Sequence, residues 1–389
     1  MKIKHLLLVV ATVLTAMTSC SDDSNEPAGV DDAALSPKEQ ALKTAVGAYV
    51  DKTVLPTYAS MADAAIELRD LCHIMRDKHA AGNLTTADIE AAGRAWKQSR
   101  KSWELSEAFL FGPAANHNID PHIDSWPLDK AAMERLLEDI RAGKQWSLAN
   151  NGGYGLIGFH SVEYMLFELS DDENASKPHS TNYTAEELTY LCAVADDLAE
   201  QTVCLEACWR GTDNISAEKQ QILEDADLDY GENYGGEMKN ARSAGSRFKT
   251  YQEAAEEIIQ GCIDIADEVG NTKIGRPHSG SSLEDKNYIE SPYSLNSIED
   301  FVDNIISIRN AYCGTNAGDA SVSDYVKSVD KDLDTELRWA IDEAIAAISA
   351  IPEPFAKTAG GAEAERAVKV VGTDLVNVLE KVNDLIGRR

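Results

Sequence analysis

Two ionisable residues, His160 and Glu163, stand three positions apart inside the apolar run GLIGFHSVEYMLFEL, residues 155–169. In an α-helix these positions share one face, so the imidazole and the carboxylate project together. The surrounding apolar residues cover nearly the whole helix circumference, which predicts burial. A buried His–Glu pair must be hydrogen-bonded, protonated or bound to a metal. The residues alone leave two interpretations open, a structural hydrogen bond or core ion pair, and half of a carboxylate–histidine metal site.

A second group of residues supplies charged partners. Trp96, Arg100, Trp103 and Glu107 follow one another at spacings of four, three and four, which predicts that they share one helical face. Aromatic residues on such a face usually belong to the core. Arg100 and Glu107 are less expected there, because buried charges need partners, and Glu104 lies beside the same face.

A Pro-punctuated loop follows, with two Asp and a His in five residues, at Asp120, His122 and Asp124. Carboxylate oxygens and an imidazole in this loop are suitable to complete a metal site with His160 and Glu163. The alternative is turn formation, since Asp and Asn side chains fix turns by bonding to local backbone.

Helical periodicity dominates the elements that must position these residues, and no long alternation of apolar and polar residues indicates a sheet. Helical runs are predicted at about 37–79, 85–111, 154–169, 184–210, 238–269, 297–312, 322–350 and 363–387. The sequence therefore predicts an all-α protein made of two packed helical, four-helix-bundle-like domains. We place the N-terminal bundle at 38–215, with the His160–Glu163 pair, and the C-terminal bundle at 216–389.

The charge balance narrows the classes of partner. The 389 residues include 66 acidic and 36 basic ones, a net charge of −30, which argues against nucleic-acid binding. The acidic stretch from Asp225 resembles the start of a calcium loop. However, Tyr230 and Gly236 stand where that loop needs Gly and Glu, so a solvated acidic loop is favoured. Nucleotide-binding glycine motifs and a serine-hydrolase elbow are absent from the sequence.

The N-terminus reads as a processing signal. A basic start, a short apolar run and a small-residue stretch ending at Cys20 resemble a bacterial lipoprotein signal. We expect residues 1–19 to be removed, Cys20 to carry the lipid anchor, and 20–37 to form a flexible acidic tether. The acidic run after Cys20 resembles the surface-export signal of Bacteroidetes lipoproteins. It predicts an outer-membrane location, on either the periplasmic or the outer face. Six cysteines remain, and we interpret most of them as buried core thiols.

Several motifs in the same order together resemble the imelysin family (peptidase family M75). The family's G-x-H-x-x-E pattern falls on Gly158, His160 and Glu163. The tryptophan-rich run at 96–113, the IDSWP run at 123–127 and the run ESPYSLNSIEDFVDNIISIRNAYCG at 290–314 also match, and the resemblance covers about residues 38–387.

This resemblance implies an exported two-bundle protein linked to metal binding and iron uptake, with its site between the bundles. His160 and Glu163 become the expected metal ligands. Arg100, Glu107 and Asp124 become expected neighbours that bind the ligand. From the second half, the residues expected to line the site are Asn296, Asn304, Asn310 and Tyr312.

Three functions follow from these observations. The first is a lipid-anchored binding protein for iron or zinc, or for an iron-bearing ligand, acting in uptake with other uptake components. The second is a metallopeptidase of the imelysin type. It is weakened because an H-x-x-E-H pattern would need His where Tyr164 stands. The third is a non-catalytic scaffold, which would not need a buried His and Glu.

Overall fold

The computed structural model describes residues 35–148, 153–169, 176–178 and 180–388. The predicted signal peptide at 1–19, the lipidated Cys20 and all but the last residues of the tether at 20–37 lie outside these residues. Within the described part of the chain, no helix is both long enough and apolar enough to cross a bilayer.

Capping residues explain where several helices of the first half begin. Ser36 accepts a hydrogen bond from the backbone N–H of Glu39, and Thr184 and Glu187 form a reciprocal capping box. The α-helices of this half are α1 (Pro37–Ala48), α2 (Leu55–Ala80), α3 (Thr86–Glu104), α4 (Pro113–Asn116), α5 (Ile119–Ile123), α6 (Lys130–Arg141), α7 (Gly158–Leu166) and α8 (Ala185–Arg210).

The second half is built in the same way, with Thr250, Ser282 and Ser321 as N-caps. Its α-helices are α9 (Ala217–Ala226), α10 (Tyr234–Lys239), α11 (Tyr251–Asp267), α12 (Gly275–Ser279), α13 (Leu283–Lys286), α14 (Ser297–Cys313), α15 (Val322–Val329), α16 (Lys331–Ser349), α17 (Phe355–Thr358), α18 (Ala362–Lys369) and α19 (Val376–Gly387). A short antiparallel hairpin, β1 (Phe167–Leu169) and β2 (Ser176–Pro178), is the β-structure of the described residues. The prediction of an all-α fold is confirmed.

Three helical stretches widen locally into π-helix, at Tyr49–Val54, Glu268–Ile274 and Val370–Leu375. The last two pack against each other through glycines. A Cβ added at Gly270 would lie 2.3 Å from the Cα of Gly372, so only glycine permits this approach. Wide turns of this kind often occur at functional sites. Here the Glu268–Ile274 turn carries Lys273, which enters the buried cluster described below.

Two groups of helices form the core. In the first half, α2 packs against α3 and α8, and α7 packs against α3 and α8. In the second half, α11 packs against α14 and α19, and α14 packs against α16. The groups meet where α3 contacts α14, and where a 3-10 turn at Glu107–Phe109 packs against α11 and α14. The division into two bundles at residues 215–216 stays a prediction.

Several predicted boundaries differ from the observed ones. The helix predicted at 85–111 ends at Glu104, so Glu107 lies in the following 3-10 turn and not on the same helical face as Arg100. The helix predicted at 154–169 is shorter, because it begins at Gly158 and its chain becomes extended at Phe167. In the run predicted at 238–269, α10 ends at Lys239 and the next helix begins only at Tyr251. Tertiary packing sets these ends, and periodicity alone does not reveal them.

Candidate functional site

The motif helix α7 starts directly against the end of α5, and Gly158 makes this possible. Its φ is +76°, a left-handed conformation, and an added Cβ would lie 2.2 Å from the carbonyl oxygen of Ile123. The next residue after α5 is Asp124. As a result, His160 Nε2 lies 3.1 Å from Asp124 Oδ1. The glycine of the motif therefore serves to bring the histidine to a carboxylate from another element.

Glu163 is held on both of its oxygens. Oε2 lies 3.1 Å from His160 Nδ1. Oε1 accepts hydrogen bonds from the backbone N–H groups of Tyr293 and Ser294, at 3.0 and 2.8 Å, and from the Ser294 hydroxyl at 2.7 Å. Glu163 thus lies behind the imidazole and fixes its orientation, as carboxylates commonly do for metal-binding histidines. In this arrangement Nε2, and not Glu163, faces the other candidate ligands.

Arg100 is the centre of the buried charges. Its guanidinium is fully buried and contacts Asp124, Glu290 at 2.6 Å and Asp300 at 3.3 Å. It also forms an ion pair with Glu104, one helical turn away, at 2.6 Å. Asp124 accepts a second hydrogen bond from the indole N–H of Trp103 at 2.7 Å. One arginine therefore joins side chains from both halves of the sequence.

Lys273 is the second buried cation. It comes from the π-helical turn Glu268–Ile274, and its Nζ lies 3.1 Å from Glu290 and 3.4 Å from Glu107. Glu107 thus joins the cluster through its ion pair with Lys273, and it does not pair with Arg100 as Asp124 does. Sequence spacing placed Glu107 on the helical face of Arg100, whereas a long-range ion pair holds it in the cluster.

Carboxylates outnumber permanent cations in this cluster. Six are buried, and five of them pair with the permanent cations Arg100 or Lys273, whereas Glu163 contacts His160; the six are Glu104, Glu107, Asp124, Glu163, Glu290 and Asp300. Burial raises the pKa of Glu104 and of Glu107 well above the usual value, and it raises the pKa of Asp300 to about 6. An excess of buried negative charge is costly unless protons or a bound cation compensate it.

The pKa shifts of His160 and Asp124 show which of the buried groups are charged. Burial alone would lower the pKa of His160, but its contacts with Asp124 and Glu163 raise it to about 9. For Asp124, burial opposes ionisation. Arg100 and His160 outweigh it and hold the pKa of that carboxyl well below its usual range. A proton on His160 thus supplies positive charge between the carboxylates of Asp124 and Glu163.

Buried polar atoms without well-aligned hydrogen bonds belong to this cluster of side chains. They include His160 Nε2, Glu290 Oε2 and Glu104 Oε1. Donor atoms of Asp124, His160 and Glu290 all lie within 4.8 Å of one another, close enough for one ion to share after small movements. Two oxygen-only groups overlap them, Glu104–Glu107–Asp124 and Glu104–Glu290–Asp300. Imidazole and carboxylate donors suit iron and zinc.

A cleft reaches His160 from outside. Its volume is about 210 Å³, and its walls are formed by Trp126, Pro127, Leu128, His160, Asn287, Ile289, Pro292 and Tyr293. The Trp126 ring lies edge-on to the imidazole, with centroids 6.1 Å apart. Known ligand pockets are usually about 300–1,000 Å³. The cleft therefore suits an ion or a small chelate better than a polypeptide.

The structure brings together all five residues that the sequence singled out: Arg100, Glu107, Asp124, His160 and Glu163. Among the second-half candidates, Asn296 donates to Asp300 at 2.6 Å, and Asn304 donates to Glu104.

Two candidates and one loop residue lie elsewhere. Tyr312 donates to Asp334 at 3.0 Å, and Asn310 lines a separate surface cleft with Arg338. Both lie about two turns beyond Asn304 on α14, which carries them past the cluster. His122, from the Asp-rich loop, turns toward Asp197 on α8, at 2.9 Å.

Sequence reasoning missed Lys273, Glu290 and Asp300. Glu290 and Asp300 lie in the run at 290–314 that resembles the imelysin family. The acidic residues of this run could therefore have been predicted as members of the site. Lys273 has no local signal, because its neighbours in sequence give no reason to expect a buried cation.

Comparisons with known proteins agree with this architecture. The profile of the imelysin family (peptidase M75) matches residues 54–382. Iron-regulated protein A of Synechococcus elongatus is 26% identical over 344 residues, 87% of this chain and 85% of that protein.

Two crystal structures are also similar. One, from Parabacteroides distasonis ATCC 8503, is described as an iron-regulated protein A precursor; it has a TM-score of 0.74 and 28% identity, over 90% of this chain and 96% of that one. The other, an imelysin-like protein from Psychrobacter arcticus 273-4, has a TM-score of 0.59 over 90% and 93% of the two chains. At 16% identity it shares the fold alone.

Proposed function

Because the chain belongs to the imelysin family, we propose that it is an iron-binding protein whose metal site is formed by His160, Asp124 and Glu290. The observation that carries the proposal is the convergence of these three donors inside a buried cluster with excess carboxylate. His160 Nε2 and Glu290 Oε2 have no well-aligned hydrogen bond among the described residues. Such atoms are costly to bury, and a metal ion would satisfy both at once.

Each side chain has a distinct role in this proposal. Glu163 accepts a hydrogen bond from Nδ1 of the imidazole and so leaves the Nε2 lone pair for the metal. Arg100 holds Asp124 and Glu290 in place and limits the net charge of the cluster. Lys273, from the π-helical turn Glu268–Ile274, also holds Glu290 in place and offsets its negative charge. Glu163, predicted as a direct ligand, is here a positioning residue.

Iron is the metal that the donor types and the relatives support best. The site offers nitrogen and oxygen donors, which suit iron, and it has no sulfur donor. The Synechococcus and Parabacteroides proteins carry the name iron-regulated protein A. The small cleft beside Trp126 and Tyr293 would admit the ion or a small iron chelate.

The remaining part of the proposal concerns location. We propose that Cys20 carries a lipid anchor on the outer membrane and that the tether holds the helical part away from the bilayer. The protein would then deliver iron, or an iron-bearing ligand, to other components of an uptake system. The lipoprotein-like N-terminal sequence is the support for this part.

Metal titration of the purified protein tests the site. With Fe²⁺ under anaerobic conditions and with Fe³⁺–citrate, we expect wild type to bind iron. Asp124→Asn and His160→Ala should lower the affinity at least about 100-fold, and Glu163→Gln about 10–100-fold. His73→Ala is the matched control, because His73 pairs with Asp196 at 2.7 Å away from the cluster. Equal iron binding by wild type and His160→Ala, with both folded by circular dichroism, would mean that the cluster is only structural.

The same protein preparations test the peptidase alternative. The burial of His160 and Asp124 and the small cleft disfavour access by a peptide backbone. We therefore expect no cleavage of a denatured protein substrate. Cleavage that is abolished by a chelator and by His160→Ala would instead support a metallopeptidase.

A further inference from the structure

A second group of metal-ligand side chains lies outside the site described above. Cys204 and Cys208 stand one turn apart on α8, His117 directly follows α4, and Glu232 lies in the loop between α9 and α10. Donor atoms of His117, Cys208 and Glu232 all lie within 4.8 Å of one another. The Cys204 thiol is a neighbour of the Cys208 thiol, one helical turn away. Three metal-binding side chains from three separate elements therefore face one another, and Cys204 lies one helical turn from one of them.

The polar atoms of this group are poorly satisfied. His117 Nε2 and Glu232 Oε2 lie 3.3 Å apart, and each is buried without a well-aligned hydrogen bond among the described residues. The other oxygen of Glu232 faces Arg247 at 3.6 Å, so Oε2 is the one directed at the histidine. Buried polar atoms normally have partners, and those that lack one need a reason.

The histidine is also held in position. Its ring stacks on Tyr230 with centroids 3.6 Å apart and an interplanar angle of 8°. In the stacked orientation, Nε2 lies against Glu232. Tyr230 and Glu232 belong to the acidic loop that resembles, but does not match, a calcium loop. The acidic loop therefore approaches α8, where Glu232 lies near Cys208, and it is not simply exposed to solvent.

We propose that Cys204, Cys208, His117 and Glu232 bind a zinc ion. Two thiolates, an imidazole and a carboxylate form a four-ligand set of the kind that holds Zn²⁺ tetrahedrally, with bonds of about 2.0–2.3 Å. On binding, each thiol loses its proton to solvent and the ion gains two thiolate bonds, so two protons leave per zinc. Of these four donors, His117, Cys208 and Glu232 already lie within 4.8 Å of one another, so Cys204 moves toward them on binding.

The two sites differ in the metals they select. Sulfur donors favour zinc over hard cations, whereas the nitrogen and oxygen donors around His160 suit iron. A zinc ion at this site would link three elements: the acidic loop through Glu232, α8 through its two cysteines, and the segment after α4 through His117. The metal can enter past His117 and Glu232, whose side chains are 17% and 21% exposed. The inference is independent of the proposed iron site.

Cobalt substitution tests the zinc site, because Co²⁺ bound by thiolates gives a charge-transfer band in the near ultraviolet and intense tetrahedral bands in the visible. With the purified, reduced protein we expect this spectrum in wild type and its loss when zinc is added. Cys208→Ser should lose the thiolate band, and His117→Ala should lower the cobalt affinity at least about tenfold and the zinc content by one ion per chain.

Two control variants test whether the cobalt spectrum comes from the proposed zinc site. Cys262→Ser removes a buried thiol elsewhere in the core, and His160→Ala removes the histidine of the iron site. Both should keep the thiolate charge-transfer band at full intensity. A reduced, folded wild-type protein without the thiolate band overturns the proposal, whatever the variants do. So does a band that survives in Cys208→Ser, or a Cys204–Cys208 disulfide found by mass spectrometry in protein prepared with zinc.

Discussion

Replacing His160 by glutamine removes the ionisable ring between Asp124 and Glu163, and its effect on stability is expected to depend on pH. Glutamine keeps a polar side chain of similar size but cannot carry the positive charge. In the metal-free protein, the charged imidazole lies 3.1 Å from a carboxylate oxygen on each side. The charge, and with it the stabilising effect, is present only while the ring is protonated.

The magnitude follows from the pKa of His160 in the two states. Folding raises it from 6.5 to about 9. A difference of about 2.5 pH units, at about 1.4 kcal/mol per unit, corresponds to about 3 kcal/mol. Because the folded-state pKa is the higher one, this contribution is fully present below pH 6.5. It decreases as the pH rises and is lost above about pH 9.

Urea denaturation with chelator and reductant, at about pH 6 and about pH 10, measures this effect. The difference in unfolding free energy between wild type and His160→Gln should shrink by about 3 kcal/mol from the lower to the higher pH. His73→Gln is the control, because His73 and Asp196 form a partly exposed pair worth at most about 1 kcal/mol. A wild-type–variant difference that stays constant across this range would refute the assignment of a charged imidazole between the two carboxylates.

Two further predictions concern backbone and charge. Gly158→Ala should destabilise the protein by more than about 2 kcal/mol in urea denaturation, because of its positive φ and the clash with Ile123; Gly153→Ala, with open space around it, should change stability by less than about 0.5 kcal/mol. Lys273→Met should cost about 3–5 kcal/mol, since it leaves buried carboxylates uncompensated, whereas Lys144→Met, in the exposed ion pair with Asp139, should cost less than about 1 kcal/mol. Equal effects within either pair would contradict the burial argument.

The sequence predicted those features of the site that depend on local spacing. His160 and Glu163 are three positions apart, and in a helix this spacing alone brings imidazole and carboxylate into contact. The apolar surroundings of the pair predicted its burial. Arg100 was identified because a charge on an aromatic helical face needs a partner. The all-α fold followed from periodicity in the same way.

Contacts between distant segments were beyond such reasoning. Glu163 receives three hydrogen bonds from Tyr293 and Ser294, about 130 positions along the chain, on the oxygen that does not contact the imidazole; its role as a metal ligand stays a prediction. Lys273 reaches the carboxylates only because a π-helical turn and a glycine contact place it there.

The same holds for the second candidate site. Cys204 and Cys208 are neighbours by helical spacing, so their proximity was readable from the sequence. That His117 and Glu232 face them was not, because loop packing sets their positions. Thus the sequence by itself determined the helices and the residue pairs one turn apart. Tertiary structure decided which pairs share a site, since side chains far apart in sequence meet only where the packing of helices and loops leaves room for them.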